Sequence, residues 1–235
     1  MPNSTGASVS LCLLTLNEVS GCRHDVPLLP LDEFDEVYAV DGGSEDGTVE
    51  YLKSQGIKVI EQPIRGYNHG YICAFENCSS DTLVVFHPKA SILDARSLLS
   101  FRPLFDQGYD LVVPSRMGKG ARNEEDARML RPRKWFVLAL GWLSSVLWRR
   151  RGPVIWDVLH GYRGMRRDRF FAIRPIENDF TLDLQMIVRG YRQGFRMAEF
   201  PVQERKRPFG KTHFAAIPTG WRYLVYLSRE IRRSE

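Results

Sequence analysis

The densest set of chemistry-bearing residues is the run Val40-Asp41-Gly42-Gly43-Ser44-Glu45-Asp46-Gly47-Thr48. It closes a short apolar stretch and opens a helical pattern. An acid at a strand end, here Asp41, can accept hydrogen bonds from a ribose or a base, and glycines such as Gly43 let backbone approach a ligand closely. The same residues also read as a glycine-rich turn in which Ser44 or Asp46 caps the next helix. A short glycine-rich match alone does not separate the two readings. Upstream, Leu13-Leu14-Thr15-Leu16-Asn17-Glu18 ends another apolar run on polar groups, and Val85-Phe86-His87-Pro88-Lys89-Ala90 ends a third on an imidazole and an amine.

These residues need elements to hold them. Residues 9–16 form a continuous apolar run, the pattern of a buried parallel strand. Residues 36–40, 57–60, 82–86 and 110–114 repeat that signal. Helical patterns fall between them at 48–55 (stopped by Gly56), 67–78 and 94–106. Alternation at this pace predicts a parallel sheet with helices on both faces. Further on come a basic-flanked apolar helix at 131–151, a loop at 152–157, an amphipathic helix at 180–190 and an extended segment at 195–201. A charged stretch at 204–207 and a last helix at 221–231 follow. No repeat or low-complexity linker divides the chain, which predicts one domain with a C-terminal elaboration.

Composition sets the bounds. Of 235 residues, 43% are apolar and 26% charged, which excludes a disordered or collagen-like chain and allows a real core. The 33 Lys and Arg against 28 Asp and Glu leave a net charge of +5, favouring anionic partners such as nucleotides and phospholipid headgroups. No RNA-recognition or helix-turn-helix signature supports nucleic acid as a partner. Cys12, Cys22, Cys73 and Cys78 show neither zinc-ligand spacing nor a disulfide framework, and read as reduced thiols in a reducing compartment. The first apolar run lacks a basic segment before it, so no secretory signal is expected. No apolar run reaches the roughly 20 residues that span a bilayer. The expectation is a cytoplasmic protein, soluble or peripherally associated with the membrane.

Taken in order, the Thr15–Glu18 and Asp41–Thr48 runs resemble the start of the family 2 glycosyltransferases, which have a GT-A fold. Further matches extend the resemblance over roughly residues 9–214. They are most similar to the polyprenyl-phosphate sugar transferases, the dolichol-phosphate mannosyltransferase group. Asp110-Leu111-Val112-Val113-Pro114-Ser115-Arg116 is similar to their Asp-Leu-Val-x-Gly-Ser-Arg strand, and Asp157-Val158-Leu159-His160-Gly161-Tyr162-Arg163 to their Asp-x-x-Ser-Gly-Phe-Arg segment. Glu199-Phe200-Pro201-Val202, followed by Arg207-Pro208-Phe209-Gly210-Lys211-Thr212, resembles Glu-Val-Pro-Ile and Arg-x-x-Gly-x-Ser. The resemblance implies an α/β fold of GT-A (Rossmann-like) type, with a mixed, mostly parallel sheet flanked by helices. It places a glycosyltransferase domain at 1–215 and an amphipathic helix at 216–235.

The activity it implies is inverting transfer of a sugar from a nucleoside-diphosphate sugar to a polyprenyl phosphate or another membrane-associated glycan acceptor. Thr15, Asn17, Glu18, Asp41, Gly43, Ser44, Asp46, His87 and Lys89 would bind the nucleotide sugar. Arg116, Arg133, Arg163, Arg207 and Thr212 would bind acceptor phosphate, and Lys89, Asp183 and Arg207 would take part in catalysis. Asp183 reads equally as a first-turn acid favoured by the helix dipole, and Arg133 as a surface ion pair. A hydroxyl acceptor would need a general base, whereas a phosphate monoester is already largely dianionic near pH 7.

One departure matters. The family carries an Asp-x-Asp pair after the fourth strand to hold a divalent cation, Mg²⁺ or Mn²⁺. Here His87 and Lys89 stand at those places, and a hard cation needs oxygen ligands that a charged lysine cannot supply. Lys89 then supplies the positive charge without metal, or the protein is a catalytically impaired nucleotide-sugar-binding protein, or the two residues are a solvated strand end. Charge alone also admits a basic membrane-surface module. The tryptophans and basic ends of 131–151, and Trp221 with the arginines after it, fit helices lying in a membrane interface, or helices buried in the core.

Overall fold

The computed structural model describes residues 6–127, 129–177, 179–209 and 216–233, with backbone only at 216 and 217. Its strands are β1 (Val9–Thr15), β2 (Glu36–Asp41), β3 (Lys58–Glu61), β4 (Thr82–Phe86), β5 (Leu111–Ser115), β6 (Arg163–Arg166) and β7 (Met197–Pro201). Its α-helices are α1 (Val19–Asp25), α2 (Thr48–Ser54), α3 (Tyr67–Asn77), α4 (Phe101–Asp106), α5 (Pro132–Trp148), α6 (Arg167–Ala172), α7 (Leu182–Arg192) and α8 (Ala216–Arg232). The strands form one seven-stranded sheet in the order β3-β2-β1-β4-β6-β5-β7.

The apolar run of β1 is continuous because both faces of the strand are covered. Cys12 and Leu14 point into one core with Tyr38, Val40, Leu83 and Val85, roofed by α3, α5, α7 and α8. Val9, Leu11 and Leu13 point into the other with Ala39, Val84 and Phe86, against α1, α2 and α4. The two-residue period of a strand deals its side chains alternately to the two layers. The four cysteines are buried and free.

Three elements differ from the sequence expectation. β6 pairs antiparallel with both β4 and β5, so the sheet is mixed at that position and parallel elsewhere. Its residues, Arg163-Gly164-Met165-Arg166, lack the apolar run that marks the other central strands. The expected helix at 94–106 divides into a 3₁₀ segment, Ala95–Ser100, capped by the Asp94 carboxylate accepting from the Arg96 amide, and then α4. α8 begins at Ala216, five residues before the 221–231 helical pattern and at the start of the 216–235 helix that the resemblance implies. It packs into the same core as α5 and α7 through Tyr223, Tyr226 and Leu227. Glu230, 1% exposed, accepts from Arg189 and Arg192 of α7.

The topology brings the chemistry to one edge. β1, β2, β4 and β5 all end there. β2 and β4 lie on opposite sides of β1, so the strand order reverses at β1, the point where open α/β sheets form a ligand crevice. Because β6 runs the other way, the loop that enters it, 157–161, reaches the same edge. β7 is parallel to β5 with Ser115 opposite Pro201, which delivers residues 202–207 there too.

Candidate active site

Two cavities open on this edge. One, of about 510 Å³, lies between the ends of β1 and β2, the start of α3 and Phe180 and Arg222. The other, of about 350 Å³, lies between the 157–161 loop, residues 204–207 and Tyr223. They share Tyr67, His87, Lys89 and Phe180 as a common wall.

The first cavity presents the glycines Gly42, Gly66 and Gly70 and the apolar Leu14 and Leu16, together with charged side chains such as Glu18, Arg65 and Lys89. Asp41 is 1% exposed. One carboxylate oxygen accepts from the Gly43 and Ser44 amides at 2.9 and 2.7 Å, and the other from the Thr15 and Ser44 hydroxyls at 2.8 and 2.7 Å. Asp41 therefore builds the turn, and Gly42 rather than the acid faces the cavity. Gly43 has φ +89°, a left-handed conformation that a side chain would strain. Asn17, Ser44 and Asp46 latch the β1 and β2 loops together. The Asn17 amide donates to the Ser44 hydroxyl at 2.8 Å, the Asn17 side-chain oxygen accepts from the Glu45 amide at 2.8 Å, and Asp46 accepts from the Val19 amide at 3.0 Å. The Asp46 carboxyl is held low: its bonds to Thr48 and Val19 outweigh the burial that raises it. Gln62 completes the wall, its amide nitrogen donating to the Ile64 and Gly66 carbonyls.

The shared wall is built with care. Gly21 of α1 lies so close to the 87–90 loop that a Cβ there would sit 2.2 Å from the Pro88 carbonyl oxygen. Asp25 accepts from the Ala90 amide at 2.8 Å, and Arg205 donates to the Ala90 carbonyl at 3.2 Å. Ala90 itself sits at φ +54°. His87 hydrogen-bonds the Tyr71 hydroxyl at 3.1 Å and stacks on Tyr67, with ring centroids 6.0 Å apart. Burial, then the charges of Lys89, His160 and Arg163, push its pKa well below the ordinary value, so the imidazole is neutral. Burial and Arg207 lower the Lys89 pKa, while the carboxylates of Glu18, Glu204 and Asp183 pull it back up.

The second cavity is lined by charge pairs. Arg116 grips Asp157 in a two-pronged bond, Nε and Nη2 each 2.7 Å from a carboxylate oxygen, and reaches Glu204 at 3.4 Å. Arg116 lowers the Asp157 carboxyl against the burial that raises it. His160 bonds the Pro114 carbonyl through Nδ1 at 2.8 Å and Glu204 through Nε2 at 2.9 Å. Burial would raise the Glu204 carboxyl, but His160 and Arg116 bring it down to about 2. Both ring nitrogens of His160 are committed, so neither is free to take a proton from a bound molecule. Arg207 donates to Glu18 at 2.6 Å, and Arg133 to Glu124 at 3.2 Å. Asp183, 4% exposed, accepts from the Tyr67 hydroxyl at 3.0 and 3.1 Å.

Thr15, Glu18, His87 and Lys89 thus line the first cavity, and His87, Lys89, Arg116, Arg133, Asp183 and Arg207 the second. Asn17, Asp41, Gly43, Ser44 and Asp46 stand behind the first wall as its framework. Arg163 faces neither cavity. It is 1% exposed and donates to the carbonyls of His160 and Asp183, at 2.9 and 2.7 Å from Nε and Nη1, stitching the 157–161 loop to α7. This corrects the expectation that it binds acceptor phosphate: its donors are spent inside the protein. Thr212 lies outside the described residues. Sequence reasoning missed Gln62, Tyr67, His160 and Glu204. His160 stood inside the Asp157–Arg163 run and Glu204 opened the charged run 204–207, whereas Gln62 and Tyr67 carried no such signal.

Comparison with known proteins agrees with this architecture. The family model described as "Glycosyl transferase family 2" matches residues 25–171. The dolichyl-phosphate hexose transferase of Haloferax volcanii is 31% identical over 172 residues, covering 73% of this chain and 71% of that protein. Glycosyltransferase AglD of the same organism is 29% identical over 218 residues, covering 85% of this chain but 33% of its own length. Among solved structures, Mycobacterium tuberculosis glucosyl-3-phosphoglycerate synthase in complex with Mn²⁺, UDP-glucose and phosphoglyceric acid superposes with a TM-score of 0.74 at 17% identity. That match covers 94% of this chain and 79% of the other, and the shared fold is GT-A. The seven-stranded sheet, the two loops at its carboxyl edge and the family match agree: this chain belongs to glycosyl transferase family 2 and is a glycosyltransferase.

Proposed function

We propose that this chain transfers a sugar from a nucleoside-diphosphate sugar to a polyprenyl phosphate at a membrane surface. The observation that carries the reading is the shared wall of the two cavities. Two substrates seated side by side would meet at His87 and Lys89, as a transfer requires. The glycine-walled cavity suits the nucleoside, since backbone approaches it at Gly42 and the switch point lies beside it. The charged cavity suits a phosphate, because Arg116, Arg133 and Arg207 line it and arginine binds phosphate in two-pronged fashion. The name of the haloarchaeal relative and the phosphoglyceric acid bound by the mycobacterial neighbour support a phosphate-bearing acceptor.

In this reading an acceptor phosphate oxygen attacks the anomeric carbon. The bond from that carbon to the donor diphosphate breaks on the opposite face, with inversion, and its electron pair leaves with the nucleoside diphosphate. A phosphate monoester loses its second proton near pH 6, so no general base is needed. That agrees with a charged cavity whose two histidines are His87, neutral and hydrogen-bonded, and His160, with both ring nitrogens occupied.

The mycobacterial neighbour holds Mn²⁺. The residues here do not fit such an ion. The β4 end offers His87 and Lys89, the Glu18 and Asp183 carboxylates are already bonded to Arg207 and Tyr67, and no three His, Cys, Asp or Glu side chains cluster among the described residues.

Membrane contact is the remaining part of the proposal. No helix is long and apolar enough to cross a membrane among the described residues. α5 leaves Trp135, Trp142 and Val146 exposed along one stripe and runs into Arg149, Arg150 and Arg151. α8 exposes Trp221, Leu224 and Ile231 beside Arg229, Arg232 and Arg233. Apolar anchors flanked by arginine fit an anionic lipid surface.

The test is turnover of radiolabelled nucleotide sugars with short-chain polyprenyl phosphates in anionic vesicles. Label passing into the lipid fraction, with release of nucleoside diphosphate, is expected. Nucleotide binding without transfer to any lipid phosphate would overturn the acceptor assignment.

A further inference from the structure

We propose that the Lys89 ammonium stands where a divalent cation would bridge the donor diphosphate, so that this chain grips a nucleoside diphosphate without metal. The inference rests on the donor-site reading above and adds the group that neutralises the leaving phosphate.

Position is the first argument. Lys89 sits three residues past the end of β4, on the wall common to both cavities. A charge placed there faces the point where a donor diphosphate and an acceptor phosphate would meet. Availability is the second. Arg116, Arg133 and Arg207 are each paired with a carboxylate, whereas Lys89 makes no hydrogen bond or ion pair with the described residues. Its three ammonium donors are therefore open to a ligand.

Pre-organisation is the third argument. The loop that carries Lys89 is fixed on several sides at once. Asp25 holds the Ala90 amide, Arg205 holds the Ala90 carbonyl, and Gly21 lets α1 press on Pro88. Ala90 is kept in a left-handed conformation that is unfavourable for a non-glycine residue and persists only when its surroundings enforce it. A cation fixed before the reaction stabilises the developing charge without reorganising. The donor set is the fourth: an amine and a neutral imidazole already bonded to Tyr71 are poor ligands for a hard ion. During transfer the electron pair of the broken bond moves to the terminal phosphate oxygen of the nucleotide, and Lys89 offsets that charge. No proton transfer or redox partner is required.

The test is calorimetric titration of the chain with UDP and with GDP, in excess EDTA and in excess MnCl₂. One nucleotide should bind in EDTA with an affinity within about twofold of that in MnCl₂. Lys89→Met should weaken binding in EDTA by about tenfold or more, a loss of about 1.4 kcal/mol. The double variant His87→Asp/Lys89→Asp should lose binding in EDTA and regain it in MnCl₂, because it restores two carboxylates. Thermal melts of each variant separate loss of the site from loss of the fold. Wild-type binding that requires MnCl₂ would overturn the inference and leave the donor site standing. Absence of binding to either nucleotide in either condition would overturn both.

Discussion

The two cavities are built by opposite means. In the glycine-walled cavity the polar side chains are spent on one another. Asp41, Thr15, Ser44, Asn17 and Asp46 bond one another and the backbone of two neighbouring loops, and the glycines Gly42, Gly66 and Gly70 face the interior. In the charged cavity charged side chains form part of the surface, and Arg116, Arg133 and Arg207 are each matched by a carboxylate. The first therefore selects by shape and backbone approach, the second by exchange of ion pairs. A phosphate entering the second competes with Glu18, Glu124 or Glu204 for an arginine, so binding there trades one ion pair for another. Lys89 is the cation on the shared wall for which no such exchange is needed.

Four substitutions probe this contrast, taken from the largest expected effect downward. Asp157 is fully buried beneath Arg116. Asp157→Ala removes the two-pronged partner of Arg116, leaving it only the 3.4 Å contact with Glu204, and should lower the unfolding free energy by about 3–5 kcal/mol in urea titration. Asp41→Ala should cost less, about 1–3 kcal/mol, because its partners are neutral amides and hydroxyls. Equal costs would erase the distinction between the two walls.

Glu199 supplies the third probe. It stands behind Asp157 and accepts from the Trp156 and Asp157 amides at 2.9 and 2.7 Å. Burial, aided by the Asp157 charge, raises its carboxyl from 4.5 to about 7. Between those values the folded chain binds the proton that the unfolded chain releases, so Glu199 makes stability fall as pH rises from about 4.5 to 7. Glu199→Gln keeps the two amide bonds and removes the titration. It should raise stability at pH 8 by about 1–3 kcal/mol relative to pH 4.5, compared with wild type. Parallel stability profiles of the two proteins across that range would exclude this account of the buried carboxyl.

The smallest effect is expected at Gly70 in α3. A Cβ there would lie 2.9 Å from a Leu14 methyl and 3.0 Å from the Gln62 side-chain oxygen, crowding the glycine-walled cavity. The helix gains about 1 kcal/mol from alanine while the crowding costs a similar amount, so stability should hold within about 1 kcal/mol. Affinity for nucleoside diphosphate should drop about tenfold if Leu14 and Gln62 relieve the crowding by moving into the cavity. Unchanged affinity would show that the nucleotide does not use this wall.

The same contrast explains what the sequence could reveal. The Asp41 turn was legible because its bonds span two or three residues, and the latch to Thr15–Glu18 joins adjacent parallel strands. The apolar runs of β1, β4 and β5 were legible because both of their faces are buried. Arg116, Arg133, Asp183 and Arg207 of the charged cavity were named from their motifs or basic flank, but their pairings were not. Arg116 finds Asp157 41 residues away, His160 finds Glu204 44 away, and Arg207 finds Glu18 189 away. Such pairs leave no local pattern. Arg163 shows the complementary difficulty: its type and motif position suggest a phosphate ligand, but the antiparallel turn into β6 points it inward. β6 itself was missed because a short strand bearing two arginines and a glycine does not look like the centre of a sheet.

The most direct test is a crystal structure of the chain soaked with UDP or GDP. The account predicts the nucleoside between Gly42 and Gly70, with the diphosphate against the Lys89 ammonium at the shared wall. A nucleotide lying in the charged cavity among Arg116, Arg133 and Arg207, or away from the carboxyl edge of the sheet, would contradict it.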